Sequence, residues 1–182
     1  MRWHSFAANP KLRATVCDRE AALEVAKVIA AAHPTGRRLS YLTLDFSKDS
    51  IPGTYDVIWY SNVLHIYSPS DNMTIFRRAR AAMNPGGRLI IQDAFLHPDG
   101  LIPAEASLFA VSMLLFTESG NTYSAAETTS WLKKAGFQRI RPLKIKPEAE
   151  DWEDGILEAW TPGIRPGTPV PRRRLRGSSK TR

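Results

Sequence analysis

The chain has a single cysteine, Cys17, no glycine before Gly36, no long apolar run and no acidic residue after Thr161. One cysteine excludes an internal disulfide. With no second cysteine or paired histidines near it there is no metal-ligand spacing to read either, so no metal is expected. Spanning a bilayer takes about 20 consecutive apolar residues, and no stretch approaches that. The opening MRWHSFAANP also lacks the apolar core of a signal peptide, so a cytoplasmic protein is expected. The missing early glycines exclude the fingerprint with which a nicotinamide-dependent oxidoreductase cradles a pyrophosphate at the start of a βαβ unit.

What is present fits one soluble domain. The 182 residues are 43% hydrophobic and 24% charged, enough apolar content to bury a core at this length. The net charge of +7 would point to nucleic acid if it were spread over the surface, but it is confined to one end. Seven of the 25 basic residues follow Thr161, leaving 18 to balance the 18 acidic ones in the body. The segment TPGIRPGTPVPRRRLRGSSKTR is too rich in proline, glycine and serine to build a core, so residues 161–182 are expected to be a disordered basic tail. With no aromatic residue to stack on bases, the tail is not expected to bind nucleic acid.

Along the body, helical and strand patterns alternate. Residues 1–10 read as a helix end stopped by Pro10. A strand over 13–17 ends at Asp18, the alanine-rich 20–32 is a helix, and 39–44 is a strand followed by Asp45 and Phe46. Val57-Ile58-Trp59 is an apolar run of the kind that fills a buried parallel strand, with Ser61-Asn62 breaking it and His65 just beyond. A helix capped by Ser70 or Asp71 is expected to run to Pro85-Gly86-Gly87, and Leu89-Ile90-Ile91 to form the next strand, closed by Gln92-Asp93. His65 and Asp93 would then share the carboxyl edge of a parallel sheet, where ligands bind.

Residues 97–103 read as a connector, and the apolar 104–116 as a well-buried helix. Ser124 with Glu127 forms a capping-box pattern for a helix that stops at Gly136. Residues 137–145 and 156–160 read as a terminal antiparallel pair turning at Asp154-Gly155, with Pro142 implying an edge or a bulge. The fold class is α/β, with six strands and four helices in a doubly wound sheet.

Six ordered blocks carry a resemblance: ANPKLRATVCD, LTLDF, YDVIWYSNVLHIYSPSDN, MNPGGRLIIQD, FAVSMLLFTESGNTYS and WLKKAGF. Together they resemble the carboxyl-terminal catalytic domain of the S-adenosylmethionine-dependent small-molecule O-methyltransferases, the plant phenolic, acetylserotonin and bacterial polyketide type. The resemblance implies a Rossmann-like class I methyltransferase sheet over residues 1–160 and S-adenosyl-L-methionine as cofactor. Asp18 then matches the ribose carboxylate, Asp45 and Phe46 flank adenine, and Ser61 lies near the cofactor's amino-acid end. Read from the residues alone, Asp18 is equally an N-cap and Asp45 an ordinary loop carboxylate. His65 matches the general base, since an acceptor hydroxyl must lose its proton as it attacks a sulfonium methyl and an imidazole suits that task.

Two departures go with the resemblance. Ile66 and Asn121 stand where relatives carry helper carboxylates, so no group that orients His65 is evident. The family's first strand, its glycine-rich loop and its amino-terminal dimerisation domain have no counterpart ahead of Asp18. In the strand order 3-2-1-4-5 that first strand is central, so strands two and four are expected to lack their shared partner. Two functions follow: an O-methyltransferase acting on a small aromatic or polyketide-like hydroxyl, or a non-catalytic truncated remnant that binds a partner chain.

Overall fold

The computed structural model describes residues 9–97, 104–144 and 155–163. In chain order the elements are β1 (Ala14–Asp18), α1 (Glu20–Ala31), β2 (Leu39–Thr43), β3 (Tyr55–Ser61), α2 (Pro69–Ala81) and β4 (Met83–Gln92). After them come β5 (Phe95–Leu96), α3 (Ala104–Phe116), β6 (Tyr123–Ser124), α4 (Ala125–Lys134), β7 (Gln138–Pro142) and β8 (Ile156–Trp160). The expected helix end before Pro10, the connector after His97, Asp154 of the last turn and most of the basic tail lie outside the described residues.

Each of the first two units is a strand, a helix and a parallel strand. β1 pairs with β2 in a single register from Ala14 opposite Leu39 to Asp18 opposite Thr43. The crossover helix α1 buries Leu23 and Ala30, then stops at a turn where Gly36 is required: a Cβ there would come within 2.0 Å of the Ala30 carbonyl oxygen. β3 pairs in parallel with β4, β8 lies antiparallel to β4, and β7 lies antiparallel to β8, giving the order β3-β4-β8-β7. The terminal antiparallel pair is therefore present, with β8 inserted between β4 and the outer strand β7. Its bulge falls between Gln138 and Arg141, just before Pro142. Every buried strand carrying a charge must pair it: Glu158 of β8, 1% exposed, accepts from Arg141 Nε at 2.6 Å and Arg88 Nη1 at 3.3 Å.

The core lies on the face of this second sheet covered by α2 and α4. Phe76, Leu64, Leu89, Ile91, Leu132 and Leu157 are each under 2% exposed, and Phe76 meets Tyr60 edge-on at 5.7 Å. The two sheets share no strand. β1 and β3 each have one hydrogen-bonded neighbour, and among the described residues no strand joins them. Side chains bridge the two sets instead: Phe46, beyond β2, packs against the core, and Arg78 of α2 donates to its carbonyl at 2.9 Å.

Four expectations change. Ser68, not Ser70 or Asp71, caps α2; its hydroxyl accepts the Asp71 N–H, and Pro69 takes the first helical position, where a missing N–H costs nothing. Pro85-Gly86-Gly87 does not end that helix. It forms a bulge inside β4, where the register passes from Tyr55 opposite Met83 to Val57 opposite Arg88. Gly86 is left-handed at φ 69, and Thr161 fastens the excursion, donating to the Asn84 carbonyl and accepting the Gly87 N–H, both at 2.8 Å. The run in β3 is not buried on both faces: Tyr60 is buried, while Val57 and Trp59 are 42% and 53% exposed. Finally, α3 is not a buried helix. Leu108, Val111, Leu114, Leu115 and Phe116 are exposed because no described element packs on that side. No helix among the described residues is long and apolar enough to cross a membrane.

Cys17 sits half-buried in β1, and burial, reinforced by the adjacent Asp18 carboxylate, pushes its thiol up to about 11. Only the thiolate reacts, so near neutral pH alkylation by iodoacetamide should run about 100-fold slower than for a free thiol. The rate should rise as the pH approaches that value or when the chain is unfolded; mass spectrometry of the labelled chain reads both.

Candidate active site

β3 ends at Ser61, and the next residue, Asn62, takes a left-handed conformation (φ 54) that asparagine tolerates better than most. The chain then makes a short 3-10 turn, Leu64–Ile66, which presents His65 at the carboxyl edge of the sheet. Asn72 of α2, wholly buried, fixes this turn from beneath. Its amide donates to the carbonyls of Leu64 and Tyr67 at 2.9 Å each and of Ser68 at 3.2 Å, while its oxygen accepts the Tyr60 hydroxyl at 2.9 Å. On the other side, the Asn121 N–H donates to the His65 carbonyl at 3.0 Å. Gly120 permits that approach, since a Cβ there would lie 2.3 Å from the same carbonyl.

The imidazole is oriented by Asp93, which follows β4. Its Oδ1 lies 2.8 Å from His65 Nδ1, with the histidine side chain 12% and the carboxylate 1% exposed. The carboxylate also accepts the N–H groups of Leu64 at 3.1 Å and Ala94 at 2.9 Å. An ionised carboxylate can only accept, so Nδ1 carries a proton, and in the neutral imidazole Nε2 then keeps its lone pair. Phe109 of α3 meets the imidazole edge-on at 4.8 Å.

The sequence had left His65 without an orienting group, and Asp93 supplies one. Ile66, 41% exposed, takes no part, and Asn121 contributes its backbone N–H while its side chain turns to the Thr122 N–H. Asp93 lies 28 positions from His65. The only sequence signal for the pair was that both residues fall at the carboxyl ends of adjacent parallel strands. Asn72 had no signal beyond being a polar residue on the apolar side of a helix.

The remaining candidates gather on the β1–β2 side. Asp18 ends β1, and its Oδ1 accepts the Arg19 N–H at 2.8 Å. The N-cap of α1 is Arg19, so Asp18 is not serving as that cap. Asp45 accepts both the backbone N–H and the hydroxyl of Ser47, at 3.0 and 2.6 Å, and faces Lys48 at 3.5 Å. The Ser47 hydroxyl, then its N–H, hold Asp45 below the usual carboxylate range. That is the geometry of a loop carboxylate, adopted at a sheet edge. Burial and then the charge of Asp45 push the Tyr67 hydroxyl up, Asp18 adds to this, and the Arg19 guanidinium opposes it. The Tyr67 carbonyl accepts the Tyr123 hydroxyl at 2.8 Å. Ser61 lies opposite Gln92 at the end of β3, and Glu118 is exposed and apart.

Chemically, two carboxylates at the ends of adjacent parallel strands, with Phe46 beside the second, fit the hydroxyls and base of an adenosine. A glycine-rich turn that would bring backbone N–H groups to the rest of such a ligand is not found at this edge among the described residues. Among the described residues, the groups at this edge are therefore ones that could accept from an adenosine.

The sequence profile described as an O-methyltransferase domain matches residues 5–138. Over 138 residues, 75% of this chain, the sequence is 33% identical to the 3-hydroxy-5-methyl-1-naphthoate 3-O-methyltransferase of Streptomyces sahachiroi, of which it covers 39%. Among solved structures, the S-adenosylmethionine-dependent methyltransferase SibL superposes with a TM-score of 0.72 at 31% identity, over 86% of this chain and 46% of SibL. PigF, solved with SAH, superposes with a TM-score of 0.76 at 26% identity, over 87% of this chain and 45% of its own. The chain thus spans less than half the length of these relatives. With its parallel edge, its paired His65 and Asp93 and a profile match over most of its length, this chain belongs to the O-methyltransferase domain family.

Proposed function

We propose that the chain carries the acceptor side and the adenosine side of an S-adenosylmethionine-dependent O-methyltransferase, acting in the cytoplasm on a hydroxyl of a small aromatic or polyketide-like metabolite. The single observation that carries this reading is the buried Asp93 hydrogen-bonded to His65 Nδ1. It is the arrangement a general base needs, with the imidazole locked in one tautomer and Nε2 left to accept a proton. The acceptor class is supported by the naphthoate relative. Residues 1–160 are the catalytic part and residues 161–182 the basic tail in this reading.

The cofactor, when bound, supplies an electrophilic methyl group on a sulfonium. The chain's own residues do the rest. Asp18 accepts from the ribose hydroxyls, Asp45 from the adenine amine with Phe46 against the ring, and Ser61 lies toward the amino-acid end. His65 Nε2 takes the acceptor's proton, and Asp93 stabilises the imidazolium that forms. Phe109 excludes water from one side of the ring. The unpaired edges of β1 and β3 favour the second reading, a non-catalytic remnant that engages a partner chain.

Isothermal titration with S-adenosylmethionine separates the readings. Micromolar binding, weakened about tenfold or more by Asp18→Ala or Asp45→Ala, supports the cofactor assignment. Equal affinity in both variants removes these residues from the site, and heatless titrations of the chain alone favour the remnant.

A further inference from the structure

We infer that Arg78 of α2 is a positioning residue that fixes Phe46 relative to the His65 turn. The inference rests on the proposed function, in which Phe46 lies against the adenine ring. Of the three arginines on α2, Arg77 and Arg80 are exposed and Arg78 is half-buried. Its Nη1 donates to the Phe46 carbonyl at 2.9 Å, across 32 positions of sequence.

The loop that Arg78 holds is built so that another element must aim it. Leu44, just past β2, is buried and donates its N–H to the Asp18 carbonyl at 3.0 Å, which ties the start of the loop to β1. From Asp45 to Asp49 the chain then bonds to itself. The Asp45 carbonyl accepts the N–H groups of Lys48 and Asp49 at 3.0 and 2.8 Å, its carboxylate accepts both donors of Ser47, and its N–H donates to Asp49 Oδ2 at 2.9 Å. Such bonds set the shape of a turn but not its direction. Among the described residues, direction comes from two contacts with other elements: the Phe46 side chain packs against the core, and Arg78 takes the Phe46 carbonyl. A guanidinium on a carbonyl is a charge-assisted contact, stronger than a neutral one, and it fixes the rigid peptide plane between Phe46 and Ser47.

The same helix holds the base. Asn72, less than two turns before Arg78, donates to the carbonyls of Leu64 and Tyr67 on either side of His65. An α-helix rises about 1.5 Å per residue, which sets these two arms about 9 Å apart along its axis. With its own bonds intact the helix does not stretch, so Asn72 and Arg78 together set the spacing between His65 and the adenine side. Methyl transfer needs that spacing, because a misplacement of about 1 Å costs a reaction much of its rate.

Two variants separate the hydrogen bond from the bulk of the side chain. Arg78→Met keeps the packing stem and loses the donor, while Arg78→Lys keeps a donor, enough for a contact made by one N–H. Urea unfolding checks that each variant is folded under the conditions used. In the chain alone, 4-fluorophenylalanine placed at position 46 gives one fluorine resonance. Arg78→Met should move that resonance toward its position in the urea-unfolded chain, and Arg78→Lys should leave it near the native one. Titration with S-adenosylmethionine should show affinity about tenfold weaker in Arg78→Met and within about threefold of native in Arg78→Lys. In a Phe46→Ala background the further loss from Arg78→Met should shrink to about twofold or less, because Arg78 acts through Phe46. An unmoved resonance in Arg78→Met overturns the inference. So does unchanged affinity in that variant, or losses from Arg78→Met and Phe46→Ala that simply multiply. If the native chain itself gives no heat with S-adenosylmethionine, the proposed function falls, and the fluorine resonance alone decides whether Arg78 holds Phe46.

Discussion

Asp93→Asn should lower the turnover of the chain by about 100- to 10,000-fold, while cofactor affinity stays nearly unchanged. The variant keeps the size and most of the packing, so the loss would come from a proton in the wrong place. A carboxylate 2.8 Å from Nδ1 requires that nitrogen to be the donor. An amide can turn its NH2 toward Nδ1, which moves the ring proton to Nε2 and leaves no lone pair for the acceptor. The same turn sets the NH2 against the N–H of Ala94, which Oδ1 accepts in the native chain. His65→Ala should cost a similar factor, and the double variant scarcely more, because two residues acting as one unit are not additive. Initial rates at saturating cofactor, with the cofactor dissociation constant measured separately, decide the matter. Turnover within a few-fold of the native chain in Asp93→Asn would remove this pair from the mechanism.

Asn72→Leu should destabilise the fold by about 2–5 kcal/mol, read as a lower urea midpoint at unchanged m-value. The substitution preserves bulk, so the cost is one of unmet hydrogen bonds. The Tyr60 hydroxyl, on a ring that is 7% exposed, loses its acceptor, and the Leu64 carbonyl loses its donor. A total stability of about 5–15 kcal/mol makes this a large fraction. Removing the orphaned hydroxyl with Tyr60→Phe in the Asn72→Leu background should recover about 1–3 kcal/mol, which a packing defect alone would not allow. Because Asn72 also holds the carbonyls on either side of His65, turnover should fall further than the folded fraction does. Equal falls in both would mean that it supports the fold only.

These two residues mark where the sequence stopped being readable. Asp93 was visible as a strand-end acid, and His65 as a strand-end histidine, but their hydrogen bond depends on the β3–β4 register that sets Ser61 opposite Gln92. Register is a property of two segments together. The bulge at Pro85-Gly86-Gly87 hid it further, because three extra residues in β4 shift every pairing that follows. In the sequence Asn72 is one polar residue among several in its helix. Its four hydrogen-bonding partners come from β3, the His65 turn and the start of its own helix, an arrangement that no local pattern encodes.

By itself, the sequence determined the type and order of the four helices and of six of the eight strands, since 3.6- and two-residue periodicities, the Ser124–Glu127 capping box and the stop at Gly136 are local, while the two-residue β5 and β6 are too short to leave a pattern. It also determined the family, because six blocks in fixed order are hard to reach by chance, and it put Asp18, Asp45, Ser61 and His65 at strand ends. Tertiary structure alone decided which groups meet. It gave His65 its orienting carboxylate, buried Asn72 beneath the His65 turn, and left Val57, Trp59 and the outer side of α3 in water. The physical reason is that burial is conferred by neighbours. An apolar run predicts a buried strand or helix only when a partner exists to cover it, and here the described chain supplies one face of β3 and of α3 and not the other.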